Sequence, residues 1–238
     1  FEEKIANYVG SDFGVSFNSA TSALHASCAA LGLESDDILW TSPNTFVASS
    51  NCARYLGAKV DFVDIDEETG NICIEKYREK LIEADKIGKL PKIFIPVHFA
   101  GKSCEMKEIF DLSRKYGIKI IEDASHAIGG CYKGSYVGSC KYSDITVFSF
   151  HPVKIITSGE GGMAMTNKKS IADKLNIFRT HGIVKNQFNF KKQNEGPWYY
   201  EQQDLGFNYR LSDIQSALGI SQLSRTDEFV KKRNEIAQ

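Results

Sequence analysis

The chain has 238 residues, of which 42% are hydrophobic and 25% charged, and its formal net charge is −1. A chain of this size and composition can bury the core of one large domain, or of one domain and a fragment of a second. Because both signs of charge are scattered along the chain, a nucleic acid or an anionic membrane surface is not the expected partner.

The cysteines and the chain ends give further expectations. None of the six cysteines forms a Cys-x-x-Cys pair and most lie in apolar segments, so we expect reduced, buried thiols and a cytoplasmic protein. We find no signal peptide and no apolar run long enough to span a bilayer. Since the chain begins at Phe1 and ends inside a helix-like segment at Gln238, we interpret it as a piece of a longer protein.

Predicted strands alternate with predicted helices along the first two thirds of the chain. A helix is expected over Thr21–Leu31, where Leu24, Cys28 and Leu31 share a face, and another over Cys104–Tyr116. Continuous apolar strands separated by helices are typical of a mostly parallel sheet covered on both faces, so the predicted fold class is α/β. The predicted strands are Gly14–Phe17, Ile38–Thr41, Lys59–Val63, Lys92–His98, Ile118–Ile121 and Ile145–Ser149.

The last third of the chain is less regular. Residues Val184–Gly206 are polar and aromatic without periodicity, and a long loop of this kind in a compact domain is usually functional or disordered. A helix is expected to resume at Ser212, because Ser212 and Gln215 have the spacing of a capping box.

In α/β sheets, ligands bind beyond the carboxyl ends of the strands, and polar residues follow several of these strands here. The turn Asn18–Ser22 leads from a strand into a helix, where free backbone N–H groups and the hydroxyls of Thr21 and Ser22 could hold a phosphate. A plain helix cap by Ser19 or Thr21 explains the same residues equally well.

Lys154 lies between an apolar strand and the small-residue segment Thr157–Gly162. An amine in such a place can be partly desolvated, which lowers its pKa and leaves it neutral enough to attack a carbonyl carbon, as a Schiff-base lysine must. From its position alone, Lys154 would be an ordinary solvated lysine, so a catalytic role needs support from other residues of the chain.

Asp123 and His126 follow the strand Ile118–Ile121. The carboxylate of Asp123 could keep a ring nitrogen protonated, and His126 could bond a phenolic oxygen beside that ring. The alternatives are a helix cap for Asp123 and a buried core histidine for His126.

Ser149 and Phe46 complete the set of candidates. Ser149 ends the strand that leads to Lys154 and is a further phosphate donor or a buried hydroxyl, while Phe46 could stack on a planar ring or simply pack in the core. Taken together, a phosphate-binding turn (the phosphate cup, Asn18–Ser22), a stacking aromatic, a carboxylate and a lysine are the parts that bind pyridoxal phosphate (PLP). No metal-ligand spacing appears in the sequence.

These motifs resemble the DegT/DnrJ/EryC1/StrS family of sugar aminotransferases, and the resemblance covers the whole chain. It implies the large domain of a PLP-dependent transferase of fold type I over residues 1–225, with residues 226–238 beginning the connection to a C-terminal small domain that this chain lacks. The motifs that carry it are Asn18–Leu24, Glu122–Ala127, Ser149–Lys154 with Gly159–Gly162, and Gly206–Gln215.

Within the family, the chain is most similar to members that use L-glutamate to aminate C4 of a UDP-linked 4-keto-6-deoxy-N-acetyl hexosamine in pseudaminic acid synthesis. The segments that favour this subgroup are Asn18–Leu24, His98–Lys102 and Gln215–Leu223. The resemblance leaves open the sugar, the nucleotide and the stereochemistry, so another UDP- or dTDP-linked keto sugar remains an alternative.

Carried over to this chain, the resemblance implies a role for each cofactor-site residue. Lys154 would bind PLP covalently and move the proton between the donor Cα and the cofactor, and Asp123 would pair with the pyridine nitrogen. Phe46 would stack on the ring and His126 would lie beside its 3′-oxygen. The phosphate would be held by Thr21, Ser22 and Ser149.

The resemblance also implies a homodimer with shared active sites, because it places Asn208 at the phosphate of the second subunit. Within one subunit, the segment Leu205–Arg210 has no evident reason to approach the cup at Thr21. Ala20 and Ser149 would contact the sugar nucleotide. Many relatives have glycine where this chain has Ala20, which is a departure that fits the subgroup.

Two other interpretations are weighed against this one. Some family members are dehydratases with histidine in place of Lys154, and the lysine argues against that activity. A catalytically inactive nucleotide-binding module would need support from a G-x-G-x-x-G or G-x-x-x-x-G-K-[ST] motif, and neither occurs in the chain.

Overall fold

The computed structural model describes residues 1–192 and 195–238, which form alternating strands and helices. The α-helices are α1 (Glu2–Val9), α2 (Ala20–Ala30), α3 (Ala48–Arg54), α4 (Ile74–Lys86), α5 (Met106–Lys115), α6 (Lys169–Phe178), α7 (Asp213–Leu223) and α8 (Thr226–Ala237). The strands are β1 (Phe13–Phe17), β2 (Ile38–Thr41), β3 (Lys59–Phe62), β4 (Ile93–Ile95), β5 (Lys119–Asp123), β6 (Cys131–Tyr132), β7 (Ser135–Tyr136), β8 (Ile145–Ser149), β9 (Gly162–Thr166), β10 (Ile183–Val184) and β11 (Glu201–Gln202). Short 3-10 turns lie at Phe99–Gly101 and Gln187–Asn189.

Seven strands form the central sheet in the order β1-β9-β8-β5-β4-β2-β3. Strand β9 runs antiparallel to its neighbours β1 and β8, and the other six strands run parallel to one another. From β2 the chain moves outward to β3, then returns to β4 and continues through β5 and β8 in the opposite direction. Such a reversal opens a crevice at the carboxyl ends of the strands, where α/β proteins bind ligands.

Helices cover both faces of the sheet, which is why its central strands are buried and mostly apolar. In β8, Val147 packs in the cluster that includes residues of α2, α3 and α6, whereas its neighbour Phe148 packs in the cluster that includes residues of α1. A third cluster joins α4 and α5 to the sheet through Tyr77 and Phe94, whose rings stack with centroids 4.3 Å apart. Both faces of each central strand are therefore in the core.

Helix α4 shows how local sequence sets this arrangement. Ile74, Tyr77, Leu81 and Ala84 are its buried residues, and their spacing of three or four places them on one face of the helix. The intervening Glu and Lys residues remain at the surface. The amphipathic pattern thus directs one side of α4 onto the sheet.

The predicted fold class and the six predicted strands are confirmed; two strands have the predicted bounds and the other four differ by one to three residues. Strand β4 ends at Ile95, before Pro96, so the predicted strand Lys92–His98 is too long. Strand β9 was not predicted, because the sequence Gly-Met-Ala-Met-Thr of residues 162–166 is poor in β-branched residues. The capping box of Ser212 and Gln215 is confirmed.

The expectation of buried thiols is correct for Cys28, Cys52, Cys104 and Cys140, whereas Cys73 is only half-buried and Cys131 is exposed in the short hairpin of β6 and β7. All six cysteines are free thiols. Among residues 1–192 and 195–238, no helix is long and apolar enough to cross a membrane.

Candidate active site

A cleft of about 700 Å³ opens at the carboxyl edge of the sheet. Its walls come from the loops that follow β1, β2, β4, β5 and β8, so residues far apart in sequence meet there. The predicted site residues that line it are Ala20, Thr21, Phe46, Asp123, His126, Ser149 and Lys154.

The N-terminus of α2 forms one end of the cleft. Ser19 caps this helix by accepting the N–H of Ser22 at 3.1 Å, and the other N–H groups of the first turn have no partner within the helix. Ala20 and Thr21 line the cleft at this point. These donors and the positive end of the helix dipole suit an anion such as a phosphate.

Strand β9 begins directly against this helix end. A Cβ atom at Gly162 would lie 2.4 Å from the backbone nitrogen of Ala20, so a residue larger than glycine would push the strand away from the helix. Glycine is therefore required for the close approach, and it keeps the helix N-terminus at the end of the cleft.

Ser22 and Ser149 are placed differently from each other. The hydroxyl of Ser22 is buried and donates to Oδ1 of Asn18 at 2.6 Å, which directs it into the helix cap. Ser149 lines the cleft, and its Oγ accepts the N–H of His151 at 3.4 Å. A phosphate contact is thus more accessible to Ser149 than to Ser22.

Lys154 lies in the loop after β8, and its Nζ is 2.6 Å from Nε2 of His126. Burial lowers the pKa of the Lys154 amine, and the Asp123 carboxylate opposes this effect only in part. Burial and the nearby Lys154 amine also lower the pKa of His126. The lysine therefore has the partly desolvated environment that a nucleophilic amine needs.

Asp123 ends β5, with its side chain almost fully buried at the base of the cleft. Its Oδ2 accepts the hydroxyl of Ser49 at 2.6 Å, and its Oδ1 accepts the N–H of Ser125 at 3.1 Å. These bonds fix the carboxylate. Sequence reasoning missed Ser49, because a serine within α3 carries no local signal and meets Asp123 only through the packing of α3 on the sheet.

Phe46 is 75% exposed, which rules out the alternative that it packs in the core. Its ring lies on the wall of the cleft, where it is free to stack on a planar ligand.

The segment that contains Asn208 lies beside β1. The N–H of Asn18 donates to the carbonyl oxygen of Tyr209 at 2.8 Å, and Asn208 pairs with Thr180. The expectation that this segment has no reason to approach the cup within one subunit is therefore wrong for its backbone. Asn208 itself is exposed and is not among the residues that line the cleft.

His98 and Glu122 belong to motifs of the sequence but were not predicted as site residues, and they form a buried polar pair at the cleft, which His98 lines. Nε2 of His98 lies 2.8 Å from Oε2 of Glu122, and Oε1 of Glu122 accepts the hydroxyls of Ser143 and Thr146 at 2.5 and 2.9 Å. Burial opposes ionisation of Glu122, but the hydrogen bonds from these three residues outweigh it and hold the pKa of the carboxyl below its usual value.

These residues fit PLP. The helix N-terminus at Ala20 and Thr21 suits the phosphate, and the fixed carboxylate of Asp123 suits a ring nitrogen. The exposed ring of Phe46 suits a planar ring, and Lys154, whose amine suits the aldehyde, lines the same cleft. The donor set thus matches the phosphate, ring and aldehyde of one cofactor.

The fold and this donor set are typical of PLP-dependent aminotransferases, and comparison with known proteins agrees. The chain belongs to the DegT/DnrJ/EryC1/StrS aminotransferase family, whose family model matches residues 1–238. The mostly parallel sheet between helices is the fold type I architecture of the solved aminotransferases that it matches.

Three relatives illustrate the similarity. The chain is 44% identical over 238 residues to the UDP-4-amino-4,6-dideoxy-N-acetyl-beta-L-altrosamine transaminase of Campylobacter jejuni subsp. jejuni serotype O:2, covering 100% of this chain and 59% of that protein. It matches Helicobacter pylori PseC, an aminotransferase of pseudaminic acid biosynthesis, with a TM-score of 0.86 and 35% identity, covering 98% of this chain and 59% of that one. It matches Streptococcus pneumoniae Spr1654 in its PMP-form with a TM-score of 0.85 and 27% identity, covering 99% and 62%. The chain thus spans about three fifths of the length of these relatives.

Proposed function

We propose that the full-length protein transfers an amino group from L-glutamate to C4 of a UDP-linked 4-keto-6-deoxy-N-acetyl sugar, using PLP. The observation that carries this proposal is the meeting of Lys154, Asp123 and the N-terminus of α2 in one cleft. The 44% identity to a UDP-4-amino-4,6-dideoxy-N-acetyl-beta-L-altrosamine transaminase supports the choice of acceptor. The PMP-form of Spr1654 supports the choice of cofactor.

In this proposal each residue of the cleft has a defined task toward the cofactor. Thr21, Ser149 and the backbone at Ala20 hold the phosphate, with Ser22 fixing the helix cap behind it. Asp123 faces the ring nitrogen and Phe46 covers one ring face. Bound PLP supplies the electron sink that makes the Cα–H bond of an amino acid acidic.

The protein's own contribution to the chemistry is proton handling. The amine of Lys154 takes the proton from Cα of the donor, which it can do because burial lowers its pKa and leaves more of it neutral. Asp123 keeps a proton on the ring nitrogen, because a fixed carboxylate stabilises the charged form of a neighbouring base. His126, in contact with Lys154, is placed to bond the phenolic oxygen and to orient the amine.

We also propose that the active unit is a homodimer in which Asn208 reaches the phosphate in the partner's cleft. Its exposure, and its position outside the cleft of its own subunit, support this arrangement. A two-fold axis would generate two such composite sites at once. Residues 1–225 would form the large domain, and residues 226–238 would lead toward a small domain.

A panel of sugar nucleotides tests the proposal. Full-length protein with PLP and L-glutamate should aminate a UDP-linked 4-keto-6-deoxy-N-acetyl sugar faster than dTDP-linked or 3-keto sugars, with 2-oxoglutarate formed in equal amount. Lys154→Ala should abolish the reaction, whereas the matched surface variant Lys141→Ala should retain it. A preference for another nucleotide or keto position would reject the proposed acceptor, and no turnover with any sugar would reject the activity.

A further inference from the structure

The loop after β4 supplies an apolar wall that the chemistry above does not use. Phe99 lines the cleft with 41% of its surface exposed, and Ala100 beside it is also exposed and lines the same cleft. We propose that Phe99 and Ala100 recognise the C6 methyl group of the acceptor sugar and so select 6-deoxy sugars. This inference rests on the proposed function and assigns to these two residues the choice of the acceptor sugar within the same cleft.

The wall adjoins the reactive amine. A Cβ atom at Gly101 would lie 2.6 Å from the carbonyl oxygen of His126, so the Phe99–Gly101 turn packs directly on the loop of His126. His126 in turn contacts Nζ of Lys154. Phe99, Ala100, His126 and Lys154 therefore line one cleft, with the loop of His126 between the turn and the amine. The proposal places the C5 substituent of a sugar whose C4 faces Lys154 against this turn.

The turn is held in place by buried hydrogen bonds rather than left as a free loop. At its start, the side chain of His98 is buried between Oε2 of Glu122 and the N–H of Cys104, which donates to Nδ1 at 3.2 Å. Asn71 spans the turn, since its Oδ1 accepts the N–H of Phe99 at 2.9 Å and its Nδ2 donates to the carbonyl of Lys102 at 3.0 Å.

The backbone of the turn is specialised as well. Ala100 has φ of 52° and Gly101 has φ of 90°, both in the left-handed region. An alanine rarely adopts this conformation, and it persists where the surrounding structure dictates it. The hydrogen bonds of His98 and Asn71 supply that constraint, so the wall presents a fixed shape to a ligand.

A fixed apolar wall distinguishes a methyl group from its polar or smaller analogues. A hydroxymethyl group placed there would lose hydrogen bonds to water without replacement, and a sugar without C6 would leave the wall uncovered. One methyl group in a hydrophobic site changes kcat/KM by about 10- to 200-fold. The wall therefore has the capacity to set a preference of this size.

The test is the ratio of kcat/KM for a UDP-linked 4-keto-6-deoxy-N-acetylhexosamine to kcat/KM for the corresponding UDP-linked 4-keto-N-acetylpentosamine, which differs from it only in lacking C6. Using full-length protein, we expect Phe99→Ala to lower this ratio by about tenfold or more. Phe99→Leu, which keeps an apolar side chain, should retain most of the preference. Phe62→Ala is the matched control, because Phe62 is 44% exposed and lies on β3 outside the cleft lining.

Because the ratio compares kcat/KM for two sugars with the same enzyme variant, a general loss of activity lowers both values and leaves the ratio unchanged. Ala100→Ser provides a second variant that keeps the Phe99 ring, and it should lower the ratio in the same direction. An unchanged ratio in both Phe99→Ala and Ala100→Ser would overturn the inference while the wild-type protein still converts L-glutamate to 2-oxoglutarate. If the wild-type protein fails in that glutamate reaction, the proposed function fails, and the inference fails with it.

Discussion

Nζ of Lys154 lies 2.6 Å from Nε2 of His126, so two basic groups share one hydrogen bond at the mouth of the cleft. Such a contact is stable when at most one of the two is charged, and burial lowers the pKa of both. The nearby Lys154 amine lowers the pKa of His126 further, so both groups are biased toward their neutral forms. This is the condition in which Lys154 is most reactive toward a carbonyl carbon.

The first prediction concerns the stability cost of Lys154 in cofactor-free protein. Because burial lowers its pKa below the ordinary 10.5, the unfolded state binds more protons between the folded pKa and 10.5, and stability in this window rises with pH. We expect Lys154→Met to be at least as stable as wild type at pH 8, and its advantage to shrink toward pH 10. Urea unfolding at several pH values measures this, with Lys141→Met as the exposed control.

A constant difference between wild type and Lys154→Met across this pH range would show that the amine is not desolvated. His126 does not disturb the comparison, because even the ordinary imidazole pKa of 6.5 leaves it neutral above pH 8, and burial lowers the pKa of His126 from that value.

The second prediction concerns Asp123→Asn in full-length protein. Removing the charge lowers the pKa of the paired ring nitrogen and weakens the electron sink, so turnover should fall by about 100-fold or more while the cofactor can still be retained. Steady-state kinetics with L-glutamate, together with the cofactor content by absorbance, measure the two effects separately. An unchanged rate would show that Asp123 does not pair with the ring nitrogen.

The third prediction concerns Glu122→Gln, which keeps the shape of the side chain and removes its charge. The hydrogen bonds of His98, Ser143 and Thr146 lose a charged acceptor, so unfolding free energy at pH 7 should fall by about 1–3 kcal/mol.

The pH dependence of this loss has a defined sign. Because the pKa of Glu122 is lowered in the folded state, its stabilisation is present above pH 4.5 and disappears as the pH falls through the folded pKa. The gap between wild type and Glu122→Gln in urea unfolding should therefore narrow below pH 4.5. The exposed Glu83→Gln on α4 should show neither the loss nor its pH dependence.

Much of the fold could be predicted from sequence because most of its central strands contain runs of buried apolar residues, such as Ile93–Ile95 in β4. The order of the strands could not be predicted, and neither could β9, whose Gly162 and two methionines give no strand signal. Its position depends on a backbone approach to Ala20 that only glycine permits. Such a contact is tertiary and leaves no local pattern.

The residues of the candidate site likewise include some that the sequence predicts and some that it does not. Lys154, Asp123 and the helix start at Thr21 follow strands and have recognisable motifs, and the structure brings them into one cleft. Ser49 and His98 could not be selected, since each acts through a partner distant in sequence, Asp123 for one and Glu122 for the other. Pairings of this kind emerge only when the sheet order is known.

The fourth prediction tests the shared site. Asn208→Ala should weaken phosphate retention, and Lys154→Ala should abolish turnover. If Asn208 acts on the partner's cleft, a mixed dimer has one site with both defects and one site with neither, so activity should return on mixing. The return should approach a quarter of the wild-type rate if subunits exchange at random, because half of the dimers are then mixed and each has one intact site of two. No recovery after confirmed subunit exchange would contradict the composite site.

Reduction with sodium borohydride tests the central role of Lys154 most directly. Full-length protein incubated with PLP is reduced, digested and examined by mass spectrometry, since only a lysine bound to PLP through a C=N bond forms a stable pyridoxyl adduct. We expect one adduct per chain, on Lys154, and its loss on prior incubation with excess L-glutamate, which removes the aldehyde form of the cofactor. An adduct on another lysine, or none at all, would contradict the assignment of Lys154.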